Sequence, residues 1–193
     1  MEKEKFTFGN NEISYFHSDV NKGKQILLMH GYNFNTQIWI DVGLVEKLNG
    51  IGYDVFSLDV PGFPKSENHF ELSRDDMEKM LEVFIKDKMH SKAIILGASA
   101  SGRIALEFAE NHSDLLSKLI LVDPVYKSVE FGKLKGIDVL GIWGSNDPIS
   151  KPFSSVAGNI KLAILKGAGH ACYLDKPKEF NSAIANFLEG NIR

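Results

Sequence analysis

Short runs of β-branched and other apolar residues alternate with longer amphipathic segments along most of this 193-residue chain. This alternation is typical of α/β proteins, in which helices cover both faces of a mostly parallel sheet and buried strands are continuously apolar. We predict parallel strands at Gln25–Met29, Tyr53–Leu58, Lys92–Leu96, Leu119–Val122, Val139–Trp143 and Lys161–Leu165. Helices are expected at Thr36–Leu48, Arg74–Lys86, Ser101–Glu110 and Pro177–Leu188.

The N-terminal segment predicts a different local structure. Phe6–Phe8 and Glu12–Phe16 flank the turn signal Gly9–Asn11, which indicates an antiparallel hairpin at one edge of the sheet. No repeat or linker-like tract divides the chain, and one hydrophobic core can serve this length, so residues 1–193 are expected to form a single domain. The 14 residues Pro124 to Ile137 between two strands are too few for a helical cap domain.

Composition argues against several classes of protein. The net charge of -3 and the lack of a long basic run disfavour nucleic-acid binding. No apolar run reaches 18 residues, and Met1–Phe8 lacks the apolar stretch of a signal peptide, so neither membrane insertion nor export is expected. The single cysteine, Cys172, cannot close an intramolecular disulfide. We therefore expect a cytoplasmic protein.

The segment from Gly97 to Gly102 passes from a predicted strand directly into a predicted helix. A serine on such a sharp, strained turn forms a nucleophile elbow, which needs small residues two positions before and after it. Gly97 and Ser101 meet this requirement around Ser99, whereas Arg103 would violate it around Ser101. Ser99 is therefore the predicted nucleophile, although the elbow motif usually ends in glycine at the position of Ser101.

The same segment also looks like the glycine-rich phosphate loop of short-chain dehydrogenases. In that family the loop follows the first strand, and a Tyr-x-x-x-Lys pair supplies the acid. Here the loop follows about the fifth strand, and no tyrosine has a lysine four residues later. We therefore predict neither a nucleotide nor any other cofactor.

A serine hydroxyl needs a histidine base, which in turn needs a carboxylate to orient it. His170 follows the last strand in a glycine-containing loop, and Asp147 lies in the loop after the preceding strand. The order Ser99, Asp147, His170 matches that of hydrolases with an elbow serine. Asp123 also follows a strand and remains the alternative acid.

The remaining histidines and the cysteine are interpreted as structural or solvated. We expect His30 to hold a turn by hydrogen bonds, Cys172 to pack in the interior, and the other histidines to be solvated without metal-ligand spacing: His17, His69, His90 and His112. No metal is predicted.

The negative oxygen that develops during acyl transfer is stabilised by backbone amides in hydrolases with this elbow. The residue after the nucleophile is Ala100, and the loop after the strand Gln25–Met29 contributes Tyr32. We expect both N–H groups to form the oxyanion hole.

These motifs resemble the α/β-hydrolase superfamily over nearly the whole chain, including the turn Asp59–Ser66 after a strand. The segments Leu28–Gly31, Thr36–Trp39, Ser99–Gly102 and Lys166–Pro177 more narrowly resemble the capless CCG1-interacting factor B-like hydrolases. That resemblance implies an α/β-hydrolase fold, a triad of Ser99, Asp147 and His170, and small acyl esters as model substrates. In that family the elbow likewise ends in serine and glycine.

We expect a serine hydrolase acting on a small-molecule substrate, an ester with a short acyl group, since only loops can shape the pocket of a protein without a cap. Phe34, Tyr126 and Tyr173 are candidate walls of that pocket, in the loops Tyr32–Gln37, Pro124–Phe131 and Ala171–Leu174. Two alternatives remain open: hydrolysis of acyl-lysine or another amide by the same triad, and a binding module with a vestigial triad. The sequence identifies no protein partner.

Overall fold

A computed structural model describes residues 2–126, 128–153 and 160–191. The eight strands are β1 (Glu2–Phe8), β2 (Asn11–Ser18), β3 (Lys24–Met29), β4 (Tyr53–Leu58), β5 (Ala93–Ala98), β6 (Leu116–Val122), β7 (Asp138–Gly144) and β8 (Ile160–Leu165). The α-helices are α1 (Ile38–Asp41), α2 (Leu44–Gly50), α3 (Arg74–Lys88), α4 (Ala100–Asn111), α5 (Cys172–Asp175) and α6 (Pro177–Leu188).

All eight strands form one sheet in the order β1-β2-β4-β3-β5-β6-β7-β8. The pairs β1–β2 and β2–β4 are antiparallel, and every other neighbouring pair is parallel. The prediction of a mostly parallel sheet with an N-terminal hairpin is therefore confirmed. The carboxyl ends of the parallel strands meet at one edge, where open α/β sheets carry their functional loops.

Apolar residues cover both faces of this sheet. On one face, Phe84 of α3 and Phe108 of α4 are fully buried; on the other, Trp39 of α1 and Phe180 of α6 are. Because both faces are covered by helices, all six residues of the central strand β5 are buried. This rigid strand ends directly at the predicted elbow.

The prediction of a single helix over Thr36–Leu48 is wrong, because the segment forms two helices. Gly43 interrupts it with a left-handed backbone (φ 72°), so the segment forms the two short helices α1 and α2. Glycine adopts this conformation without the steric penalty that other residues pay. The apolar periodicity continues across the break, which explains why the sequence pattern resembles one helix.

The connection between β6 and β7 leaves the carboxyl edge of the sheet open. It includes a 3-10 helix at Phe131–Leu134, and its described residues form no helical cap domain. Residue 127 of this loop lies outside the described ranges. In the part of the chain that the structure covers, no helix is long and apolar enough to span a membrane.

Candidate active site

Ser99 occupies the junction between β5 and α4 in a strained conformation, with φ 55° and ψ −113°. Positive φ is uncommon for a residue with a side chain and is concentrated at functional sites. The turn is tight enough that a Cβ on Gly97 would lie 2.5 Å from the Ser101 carbonyl oxygen. Only glycine fits at that position, so the small-residue pattern reflects a real steric requirement.

Ser101 is fully buried, and its hydroxyl forms hydrogen bonds with the backbone. Its hydroxyl accepts a hydrogen bond from the Ala98 amide at 2.9 Å and lies 2.9 Å from the Met29 carbonyl oxygen, to which it can donate. These contacts link the ends of β3 and β5. The hydroxyl of Ser101 is thus used in holding the elbow, whereas that of Ser99 faces a histidine.

His170 connects Ser99 to Asp147 through its two ring nitrogens. Ser99 Oγ lies 2.8 Å from His170 Nε2, and His170 Nδ1 lies 2.8 Å from Asp147 Oδ2. The Asp147 side chain is 1% exposed, and that of His170 is 21% exposed. Three loops thus bring the three predicted residues into one hydrogen-bonded chain that opens to solvent at the histidine.

The second oxygen of Asp147 is held by its own loop. Oδ1 accepts hydrogen bonds from the amides of Ile149 at 2.7 Å and Ser150 at 3.1 Å. Burial by itself would raise the pKa of Asp147, but the hydrogen bonds from His170 and from these two amides lower it overall. The carboxyl group is therefore ionised at neutral pH, the state needed to stabilise a protonated histidine.

The alternative acid, Asp123, lies nearby but does not bond the His170 ring. Its Oδ1 accepts the Gly144 amide at 2.9 Å, and its Oδ2 accepts the Cys172 amide at 3.3 Å. Burial raises the pKa of Asp123 to about 6. The geometry thus selects Asp147 over Asp123 as the partner of His170.

The two amides expected to form the oxyanion hole flank the elbow. The Ala100 N–H starts α4, where the helix dipole favours negative charge. Tyr32 follows Gly31, whose Cβ, if present, would lie 3.7 Å from the Ala98 carbonyl oxygen. Among the described residues, neither amide has a hydrogen-bond acceptor. Both amides are thus free to donate a hydrogen bond to a bound substrate.

The three predicted pocket walls have different surroundings. Tyr173 is 2% exposed, and its ring packs against Trp39 and Phe180, so most of this side chain belongs to the core. Phe34 is half-buried, with its ring centroid 5.8 Å from that of Tyr173. Tyr126 lines two cavities and donates a hydrogen bond to the Lys151 carbonyl at 3.0 Å.

A cavity of about 240 Å³ beside the elbow was missed by the sequence analysis. It is lined by Pro124, Val125, Tyr126, Ile149, Ser150 and Lys151. The Val125 amide donates to the Ser99 carbonyl at 3.1 Å, so one wall of the cavity is hydrogen-bonded to the backbone of the elbow. Val125 and Ile149 are 39% and 63% exposed. Apolar residues in the loops that follow Asp123 and precede His170 are the one feature of the sequence that could have indicated this cavity.

A second, larger cavity of about 630 Å³ extends along α3 and α4. Tyr32 and Tyr126 line it, together with Arg103 and Met77. The open carboxyl edge therefore offers both a small pocket and a longer groove.

His30 is fully buried, as its structural interpretation requires. Its Nδ1 lies 3.0 Å from the Gly31 carbonyl oxygen, and its Nε2 accepts the Val60 amide at 3.0 Å. The expectation of solvated rings is wrong for His17 and His112, which are partly buried and stack on Phe56 and Phe108. Phe56 lies on the neighbouring strand β4, so the stacking of His17 could not be inferred from its sequence context. Phe108 lies only four residues before His112, a helical spacing at which two side chains meet.

One atom each of Asp123, Asp147 and His170 lie within 4.8 Å of one another, close enough to consider a metal site. Both nitrogens of His170 already contact Ser99 and Asp147, however. This arrangement suits proton transfer along the hydrogen-bonded chain.

Comparison with known proteins identifies relatives of this chain and structures with the same fold. Residues 24–133 match the family model described as the alpha/beta hydrolase fold. ABHD14A of Danio rerio is 31% identical over 180 residues, covering 85% of this chain, which spans 64% of that relative's length. Human ABHD14B, named as a candidate protein-lysine deacylase, is 26% identical over 175 residues, covering 86% of this chain and 83% of the relative.

A solved structure shows the same fold. A CIB-like hydrolase from Thermoplasma acidophilum superposes with a TM-score of 0.86 at 24% identity, covering 98% of both chains.

Proposed function

Since the chain belongs to the alpha/beta hydrolase fold family, we propose that it is a serine hydrolase that cleaves esters of short acyl groups through an acyl-enzyme intermediate. One observation carries the proposal: the hydrogen-bonded chain from Ser99 through His170 to the ionised Asp147. An unbroken relay on a strained elbow supports catalysis over a vestigial triad, because strain is retained where it serves function.

In the first half of the reaction, Ser99 Oγ attacks the ester carbonyl carbon while His170 Nε2 takes its proton. Asp147 keeps the other ring proton on Nδ1 and stabilises the imidazolium. The amides of Tyr32 and Ala100 hold the negative oxygen of the tetrahedral intermediate. The intermediate collapses as the C–O bond breaks, and His170 donates the proton to the departing alcohol.

The second half repeats these steps with water as the nucleophile. His170 removes a proton from water, the resulting oxygen attacks the acyl carbon, and the bond to Ser99 Oγ breaks. His170 then returns the proton to Ser99, and the carboxylic acid leaves. The residues present thus account for every proton transfer.

The small cavity supports a preference for short acyl groups. Its volume of about 240 Å³ and its apolar residues Val125 and Ile149 suit a chain of a few carbons. The open edge around it would also admit a substrate carried on something larger.

A second candidate is hydrolysis of acyl-lysine by the same residues. The groove of about 630 Å³ is lined in part by Tyr32, whose amide is a proposed oxyanion donor, and could accommodate a peptide. The name of the relative ABHD14B points to the same chemistry. His170 would then protonate a departing amine instead of an alcohol.

We also propose that residues 1–193 form one domain in the cytoplasm, acting on a small acyl substrate. The close superposition over 98% of the chain supports the first point. The single cysteine, a buried free thiol, suits the reducing cytoplasm.

The proposal is tested with a fluorophosphonate probe, which reacts with activated serines. Folded wild-type protein should be labelled, and Ser99→Ala should not. Absence of labelling on folded wild type would overturn both enzymatic candidates and favour the binding module. Rates on p-nitrophenyl esters and on an acetyl-lysine peptide then separate the two enzymatic candidates.

A further inference from the structure

Asp123 is a buried carboxyl group that the proposed reaction does not use. It is 1% exposed, and it follows β6 with a left-handed backbone, φ 42°. A non-glycine residue in this conformation is uncommon and is retained where the surrounding structure requires it. The contacts of Asp123 show what requires it here.

One carboxylate joins the two loops that carry the acid and the base. Asp123 Oδ1 accepts the amide of Gly144, three residues before Asp147. Asp123 Oδ2 accepts the amide of Cys172, two residues after His170. Any movement of one loop relative to the other would stretch one of these hydrogen bonds.

The loop that carries Asp147 and the loop that carries His170 also pack directly against each other. A Cβ on Gly144 would clash with the Gly169 carbonyl oxygen, and the Asn146 amide donates to the Ala168 carbonyl at 2.9 Å. The loops of Asp147 and His170 thus contact each other directly, and Asp123 accepts one amide from each side of this contact.

Asp123 also brings a second negative charge close to His170. One atom each of Asp123, Asp147 and His170 lie within 4.8 Å of one another. Since both ring nitrogens have other partners, only the electric field of Asp123, and not a direct bond, is left to reach the imidazole.

We propose that Asp123 is a positioning residue: its ionised carboxylate holds the loops of Asp147 and His170 together and stabilises the protonated form of His170. This inference rests on the catalytic role proposed above for His170. The site then contains two carboxylates with different roles. Asp147 bonds the His170 ring, and Asp123 bonds the backbone amides of Gly144 and Cys172.

Among the described residues, Asp123 and Asp147 are the buried acidic groups close to His170, and Lys151 Nζ donates to the Asp147 carbonyl at 3.2 Å. Burial raises the pKa of the Cys172 thiol and of the Tyr173 hydroxyl, so both are neutral. Asp175 accepts the Gly169 amide at 2.7 Å but is exposed, so water screens its charge. With a pKa of about 6, Asp123 is mostly ionised at pH 7.5.

The test follows the His170 ring by NMR across pH in wild type, Asp123→Asn and Asp175→Asn. Removing the buried charge should move the midpoint of the His170 titration down by about half a pH unit or more. The exposed control Asp175→Asn should leave it in place. A midpoint that is unchanged in Asp123→Asn, or that moves equally in both variants, would overturn the inference.

This measurement needs no turnover, so it stays informative even if the protein hydrolyses no ester. Where turnover is found, the acidic limb of the kcat/KM profile should move in the same direction. If Asp123→Asn does not fold, the wild-type amide protons of Gly144 and Cys172 provide the test. Both should titrate in one common step with the same midpoint, and separate or absent steps would contradict a shared carboxylate.

Discussion

Asp147 Oδ2 lies 2.8 Å from His170 Nδ1, although the two residues are 23 positions apart in the chain. The contact forms because β7 and β8 are parallel neighbours whose carboxyl ends meet at the same edge. The ionised carboxylate of Asp147 thus contacts Nδ1 of the His170 ring, while Nε2 of the same ring faces Ser99. The predictions below test the consequences of this arrangement for activity, stability and specificity.

Asp147→Asn should lower kcat roughly 10³- to 10⁴-fold, because the amide no longer holds the proton on His170 Nδ1. Asparagine can still accept the Ile149 amide that Asp147 accepts. Ester turnover measured beside thermal unfolding separates lost chemistry from lost fold. A fall of less than about tenfold in a folded variant would remove Asp147 from the triad.

Ser101→Ala should reduce stability but keep the nucleophile reactive. The change leaves the buried Ala98 amide without its acceptor and should lower the free energy of unfolding by about 1–3 kcal/mol. Ser99→Ala, the matched change two residues earlier, should alter stability by only about 0.5 kcal/mol while abolishing probe labelling. Denaturant unfolding and fluorophosphonate labelling of both variants check this, and the opposite pattern would make Ser101 the nucleophile.

Stability should depend on pH in opposite ways at the two aspartates. The lowered pKa of Asp147 contributes stability that is present above its ordinary pKa and is lost as pH falls through the folded value. The pKa of Asp123 is raised from 3.8 to about 6, so the folded protein binds the extra proton and loses stability as pH rises between these values.

Comparing wild type with Asp123→Asn isolates the second effect. The stability advantage of wild type should shrink by about 1–3 kcal/mol from pH 4 to pH 7, because only wild type must bury a charge. Urea unfolding at several pH values measures it. A constant difference would mean that Asp123 keeps its ordinary pKa.

Ile149→Trp should shift the substrate preference toward esters with shorter acyl groups. Ile149 is 63% exposed and lines the cavity of about 240 Å³, which a bulkier ring would partly fill. The ratio of kcat/KM for hexanoate over acetate esters should fall roughly 10-fold or more, since one or two methylenes in an apolar pocket contribute about that much. Leu162→Trp, on the edge strand β8, is the control and should leave the ratio unchanged. An unchanged ratio in Ile149→Trp would place the acyl chain elsewhere.

The local features of the fold could be predicted from the sequence. Apolar runs predicted the strands, and the glycine and serine on either side of Ser99 predicted the elbow, because steric limits act over a few adjacent residues. The break at Gly43 was missed, since glycine is tolerated within a helix and only its φ of 72° shows that it ends one here.

Other features depended on contacts between distant segments. Tyr173 lies in a loop by sequence, yet it packs in the core against Trp39, a residue far away in the chain. The small cavity exists because the loops after β6 and β7 lie side by side, which brings Val125 near Ile149. Sequence position alone does not specify such neighbours.

The sequence by itself determined that a serine on a strained turn, a carboxylate and a histidine would all follow parallel strands in that order. It favoured Asp147 as the acid but kept Asp123 as the alternative, because both follow a strand. Only the tertiary structure decided that Asp147 contacts the His170 ring while Asp123 binds the amides of Gly144 and Cys172. The reason is geometric: hydrogen bonds depend on direction and on distances of a few ångströms, which the register of neighbouring strands sets.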